Sequence, residues 1–398
     1  MSIGTTAGPQ TLHRARWAVA AAFFTNGAAF ASWAPRIPSV QQALELDATT
    51  LGLALAGGGI GGLIFTLLSG MVVDRFGSRR ALFAAIAALA VCLVLPGLAP
   101  VWWGLLLALI LLGVVDALMD VAMNAAGALV EQRSGRSLLS GFHAAWSIGA
   151  VTGGVLSAAA AALGVAVWLH LLVVGVVLCA TALVLGRGLL RHTPPTAPAA
   201  PGERTTRVAR PTPVLVLLGL LVLAAAFIED VPQSWSAVYL STGLDAAPGV
   251  AGLAFVAFSV FMAAGRLVGD RLVDRFGPTR VLLAGALLTA VAFGLSLLVA
   301  SPVAAIAGFA LVGLGASPIF PVAFSLAGRL SGASAGGGIA LVSLVSRVGF
   351  LIAPLLVGVL VDATGFRAAL SVVSAAGLIV ALLARRLRTE MARTPAVP

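Results

Sequence analysis

The sequence predicts an all-α integral membrane protein of twelve transmembrane helices, arranged as two related six-helix halves. Three observations carry that prediction. Apolar runs long enough to cross a bilayer recur along almost the whole chain. The arginines gather in alternate connections between those runs. A short motif from the first half recurs in the second, 200 residues later.

Composition sets the class. Of 398 residues, 60% are hydrophobic and 10% are charged. A water-soluble domain carries roughly a quarter of its residues as charged side chains, so this surface is built to face lipid. Length alone admits two or three soluble domains, but the apolar runs exclude them. The two cysteines, Cys92 and Cys179, sit inside apolar stretches and make neither a disulfide framework nor a metal cluster. No cofactor is implied. The net charge of +10 does not mark a nucleic-acid binder, because the positive charges are clusters of arginine between apolar spans, the pattern that orients a membrane protein.

A helix needs about 20 apolar residues to cross the hydrocarbon core. Spans are predicted near 16–35, 49–72, 81–97, 102–128, 138–162, 165–187, 213–240, 248–272, 279–299, 302–328, 336–361 and 366–385. The first follows Arg14 and Arg16 and resembles a signal peptide. It is read as an uncleaved helix, because it completes an even count. The longest connection, 188–212, is rich in proline and arginine and reads as a mobile cytoplasmic linker. The expected domains are therefore 1–187, the linker 188–212, and 213–398. The N-terminus, the C-terminus and the even-to-odd connections hold nearly all the arginines outside the spans. The opposite side holds Arg36 and Arg367. Both termini are expected to be cytoplasmic, in a bacterial inner membrane.

The repeat is specific. Val73-Asp74-Arg75-Phe76-Gly77 recurs as Val273-Asp274-Arg275-Phe276-Gly277, and Arg80 recurs as Arg280. Each copy follows the second span of its half. That is the mark of a parallel duplication, in which two bundles rock around a site at their interface.

The stretch from Gly70 through Asp74, Arg75, Gly77, Arg79 and Arg80 resembles the signature loop of the major facilitator superfamily. The residue types have physical reasons. Gly70 permits close helix packing. Asp74 suits the positive N-terminal end of a neighbouring helix, Gly77 a tight turn, and the arginines the cytoplasmic face. The resemblance implies a loop that latches the outward-facing state. The second copy departs from the pattern, with Asp270 where Gly70 stands in the first. Met119 through Asn124, then Glu131, Gly135-Arg136, Phe142-His143-Ala144 and Ser147-Ile148-Gly149, resemble a YbjJ-type bacterial branch, distantly similar to fucose permeases; so does Glu229 to Leu240. The fourth span lacks the arginine, and the fifth the Gly-Pro, that drug/proton antiporters of this superfamily carry there.

Ionisable groups within a span are costly and mark function by default. Asp116, Asp120 and Asn124 fall four residues apart on the fourth span and form one polar stripe, for proton or substrate handling or for helix–helix hydrogen bonding. His143 has a side chain suited to relaying protons, or to a structural hydrogen bond, and His170 reads as interfacial. Glu229 and Asp230 precede Pro232, a helix-breaking residue of the kind that opens binding sites. Trp235 and Tyr239 follow, either as an aromatic platform for a sugar or as an interfacial belt. Arg347 lies midway along the eleventh span and needs Asp116 or Asp120 as partner, or an anionic ligand. Arg266 reads as a snorkelling side chain. Asn26 is a further candidate ligand on the first span.

No Walker sequence or catalytic constellation is present, so neither an enzyme nor an ATP-driven pump is expected. The expected function is secondary transport of a small polar solute, such as a sugar or related metabolite, coupled to protons. Efflux of amphipathic compounds and a non-transporting receptor or scaffold are the alternatives. The expected partners are that solute, protons and membrane lipids, with no nucleic acid, and the expected state is monomeric.

Overall fold

The computed structural model describes residues 9–135, 138–186, 188–190, 212–330 and 335–393. Among them every regular element is helical, as lipid requires, since a helix satisfies its backbone N–H and C=O groups internally. The first half holds α1 (Pro9–Trp33), a 3-10 turn (Ala34–Arg36), α2 (Ile37–Ala43), α3 (Ala48–Phe76), α4 (Ser78–Cys92), α5 (Leu95–Leu98), α6 (Trp102–Ser134), α7 (Leu139–Ala162) and α8 (Val167–Gly186). The second holds α9 (Pro213–Val238), a π turn (Tyr239–Gly243), α10 (Pro248–Phe276), α11 (Pro278–Val299), α12 (Pro302–Ala316), α13 (Ile319–Leu330), α14 (Ala335–Thr364) and α15 (Phe366–Arg393).

Ten stretches among the described residues are long and apolar enough to cross a membrane. The other two expected spans correspond to α1 and to α8, whose apolar part is the shorter Val167–Thr181. The expected span 302–328 is divided: α12 ends and α13 begins around Ser317-Pro318. Pro318 has no N–H to offer the carbonyl of Leu314, and the Ser317 hydroxyl donates to that carbonyl instead, at 2.8 Å. Pro232 does not break its helix; α9 runs through it. The expected linker lies almost wholly outside the described residues.

The duplication is visible in the backbone. α3 and α10 are each 29 residues long. Both end on a glycine in the positive-φ region, Gly77 at 80° and Gly277 at 83°. Each glycine N–H donates to the carbonyl of Val73 or Val273 at 2.8 Å, and the next helix starts at the following residue. An L side chain disfavours this conformation. Asp74 and Asp274 thus occupy equivalent places, and both are exposed.

Within each half, small residues let helix backbones touch, the usual basis of packing in lipid. Gly61 of α3 faces the backbone at Ile110 of α6, and Gly113 of α6 faces that at Gly58 of α3. In the second half Gly285 of α11 and Gly315 of α12 face each other's backbone. Gly70, by contrast, has no heavy atom of the described residues within 4 Å of where its Cβ would stand, so the close packing expected of it is not used in this conformation. His170, expected at an interface, is buried, and neither ring nitrogen has a hydrogen-bond partner among the described residues.

The halves meet at the end where α3 begins. Asp362, near the end of α14, accepts from the backbone N–H groups of Ala48 at 3.2 Å and Thr49 at 2.7 Å. Asp47 accepts from Thr50 N–H at 2.7 Å. Two carboxylates therefore cover the positive start of α3, one supplied by each half. Gly358 of α14 lies against the backbone at Ala48, and Gly52 of α3 against that at Pro354. Gly249 and Gly252 of α10 pack on Ala162 and Ala158 of α7.

These two kinds of glycine predict different phenotypes. Gly113→Leu overpacks one half and should destabilise the folded protein by about 1–3 kcal/mol, read as thermal unfolding in detergent. Gly358→Leu should leave each half folded but hold this end apart. A cysteine placed at Ala48, which is buried in this conformation, should then react faster with an impermeant maleimide.

Candidate functional site

The two halves line a cavity of about 510 Å³, within the range of small-molecule sites. The first half supplies Asn26 from α1, Asp116 and Asp120 from α6, and His143 and Trp146 from α7. The second supplies Glu229, Asp230, Gln233 and Ser234 from α9, Arg266 from α10, and Arg347 and Phe350 from α14. Phe30, Trp33 and the glycines Gly58, Gly59 and Gly62 add to the wall. Ionisable groups from both halves thus converge in the interior of the bundle, the arrangement that makes such groups tolerable inside a membrane.

Each polar group has a defined setting. Trp146 Nε1 donates to Asn26 Oδ1 at 2.7 Å, and Asn26 Nδ2 donates to Asp116 Oδ1 at 2.7 Å. That chain joins α7, α1 and α6. Asn124 Nδ2 donates to the Asp120 carbonyl at 2.9 Å and to its carboxylate at 3.0 Å. Across the cavity, Arg266 pairs with Glu229 at 3.3 Å, and the Ser234 hydroxyl donates to Asp230 Oδ2 at 3.0 Å. Gln233 Nε2 donates to the Glu229 carbonyl at 2.9 Å. Arg347 makes no hydrogen bond or ion pair with the described residues and lines the same cavity as Asp116 and Asp120. His143 stands edge-on to Phe23, ring centroids 5.1 Å apart.

Of the residues singled out in the sequence, Asn26, Asp116, Asp120, His143, Glu229, Asp230 and Arg347 come together here. Asn124 turns back onto Asp120. Trp235 and Tyr239 are neither platform nor belt. Both are fully buried in the core, and the indole N–H and the phenol have no partner among the described residues. Arg266 does not snorkel to an interface but forms the ion pair with Glu229. Trp146, Trp33, Phe30 and Phe350 supply the aromatic surface instead. Trp146 has a signal in the sequence, since it lies three residues beyond His143 and so on the same helix face.

The signature-loop residues lie at the other end of α3 from Asp362. Arg75, Arg79 and Arg275 place their guanidinium groups over the rings of Phe76, Phe83 and Phe276, at 5.7, 5.8 and 5.3 Å. Arg80 and Arg280 are exposed.

An all-helical, multi-pass membrane protein with a polar cavity between two repeated halves has the architecture of a solute transporter. Comparison with known proteins agrees. The Major Facilitator Superfamily model matches residues 19–242 and 218–398, and the chain belongs to that superfamily. It is 32% identical over 364 residues to an uncharacterized MFS-type transporter of Yersinia pestis, covering 92% of this chain and 93% of that one. Among solved structures, it resembles a bacterial homolog of the human lysosomal transporter Spinster in an inward-facing, unoccupied conformation. The TM-score is 0.80 at 13% identity, covering 98% of this chain and 100% of that chain. A D-xylose–proton symporter superposes with a TM-score of 0.74 at 17% identity, over 94% of this chain and 97% of that chain.

The Arg266–Glu229 pair yields a test. Arg266→Ala leaves Glu229 in the bundle interior without its cation, and should destabilise the protein by about 1–3 kcal/mol. Adding Glu229→Gln should restore part of that loss. A double-mutant cycle on thermal unfolding reads the coupling; additive effects would mean the pair contributes nothing.

Proposed function

We propose that the chain moves a small polar solute across a bacterial inner membrane by alternating access, coupled to protons. The observation that supports this most is the cavity itself. Carboxylates from both halves, Asp116 and Asp120 on one side and Glu229 and Asp230 on the other, face one shared space. A transporter that binds only a neutral solute has no need of four acids inside its membrane-spanning bundle. Acids that can exchange a proton with the cavity, while the two halves move past each other, link the two fluxes.

The wall suits a sugar or a related metabolite. Trp146, Trp33, Phe30 and Phe350 offer flat apolar faces, while the carboxylates, Gln233 and Ser234 offer hydrogen-bond partners for hydroxyl groups. The superposition on a xylose–proton symporter is in keeping with this reading. In it, Arg347 is the mobile counter-charge that Asp116 and Asp120 share, and the alternative is that it holds an anionic group of the solute. No catalytic step is involved.

The moving units are 1–187 and 213–398, joined by 188–212, and the protein acts as a monomer. With arginines marking the cytoplasmic side, both termini and the Gly77 and Gly277 turns face the cytoplasm. The end sealed by Asp362 is then external, and this conformation is inward-facing. In the outward-facing state the signature loop around Asp74 closes the other end.

Proteoliposomes loaded at one pH and diluted into another test the coupling, with a panel of sugars and related polar metabolites as solutes. Asp116→Asn or Glu229→Gln should abolish accumulation against a gradient while sparing exchange of solute down it, because an amide cannot release a proton. If both single variants still accumulate solute, neither acid carries the proton.

A further inference from the structure

The hydrogen-bond chain Trp146–Asn26–Asp116 does more than join three helices. An indole N–H only donates. The atom of Asn26 that faces it must therefore be the amide oxygen, and this fixes the amide by chemistry rather than by choice of assignment. The NH2 group is left to face Asp116 Oδ1, at 2.7 Å. In this setting Asn26 can satisfy a carboxylate oxygen but offers no acceptor to a carboxyl O–H. Asn26 is buried, at 5% exposure, so these two partners account for most of its hydrogen bonding. Trp146 lines the cavity beside Asn26, so a solute there can touch the ring.

We propose that Trp146 and Asn26 are a positioning pair that makes the protonation of Asp116 depend on what occupies the cavity. A solute that draws the Trp146 N–H away frees the Asn26 oxygen. The amide can then turn over and accept a hydrogen bond from a protonated Asp116. The proton comes from hydronium in the cavity, which leaves as water, and it bonds to a carboxylate oxygen of Asp116. When the solute departs, Trp146 recaptures the Asn26 oxygen, the amide turns back, and the proton returns to water.

The inference rests on the proposal that Asp116 exchanges protons. Other charges share the space: Asp120 on the same helix, Arg347 from α14, His143 from α7, Glu229 and Asp230 from α9, and Arg266 from α10. α1, α3 and α4 add no charged group to the wall. Those charges act on Asp116 through space. The hydrogen-bond chain acts only through Asn26, and this makes it separable.

The test needs no solute. The full chain, labelled with 15N in tryptophan indoles and 13C in aspartate carboxyls, is placed in lipid nanodiscs and titrated with acid. Asp116→Asn and Trp146→Phe assign the two resonances. The Trp146 N–H resonance should move together with the Asp116 carboxyl. It should stop moving in Asn26→Leu, while the carboxyl still titrates. Trp146→Phe keeps an aromatic ring but removes the N–H, and its Asp116 carboxyl should hold a proton about tenfold more tightly, the scale of one hydrogen bond. An indole resonance that follows the carboxyl unchanged in Asn26→Leu would show through-space coupling and overturn the proposal. So would a carboxyl that titrates normally in Trp146→Phe, a reading that stands even if Asn26→Leu fails to fold. A carboxyl that never titrates in the unaltered chain would overturn the proton role of Asp116 and the relay with it. A carboxyl that titrates without the indole following would remove the relay alone.

Discussion

The absence of water in the bilayer interior governs this structure. A carboxylate within the bundle needs shelter and a partner, because hydrocarbon supplies neither. The chain meets that demand by turning its buried carboxylates inward from both halves and placing them around one cavity. Each carboxylate there has a partner: Asn26 for Asp116, Asn124 for Asp120, Arg266 for Glu229 and Ser234 for Asp230. The helices face lipid with the side chains that remain. Ile64, Val176 and Leu298, for example, are exposed in isolation yet need no partner in a membrane.

The same constraint explains the glycines. Between two helices in lipid, hydrophobic burial gives little, so close backbone approach and van der Waals contact must hold them together. Gly61 and Gly113 serve this purpose within the first half, and Gly285 and Gly315 within the second. Gly52 and Gly358 use the same geometry between halves. The difference lies in what flanks them. Contacts within a half are backed by further helices, whereas the contacts across the halves lie beside the cavity and the exposed ends. One packing device thus serves both within the halves and between them.

Much of the fold is legible in the sequence. Hydrophobic length locates the helices, and the Asp74 and Asp274 copies mark the duplication, because each signal is local and strong. The division at Ser317-Pro318 is not legible from hydrophobic length, since the apolar run continues unbroken on both sides of the proline. Pro232 misleads in the opposite sense, as packing around α9 carries the helix through. At the site, the acids are evident because a charge in an apolar run stands out. Their partners are harder to read. The Arg266–Glu229 pair joins α10 to α9, and the Asn26–Asp116 bond joins α1 to α6; neither follows from spacing along one helix. Trp235 is overvalued by the sequence, because an aromatic next to buried acids looks alike whether it points into the cavity or into the core.

The single-residue joint between α3 and α4 has a mechanical meaning, and its twin between α10 and α11 shares it. With one glycine between two helices, and that glycine N–H tied back into the preceding turn, there is no slack to absorb bending. A displacement of one helix is carried into the next as through a rigid bracket. Inserting even a few residues at Gly77 or Gly277 would replace each bracket with a tether, and the helices on either side would lose their fixed relation.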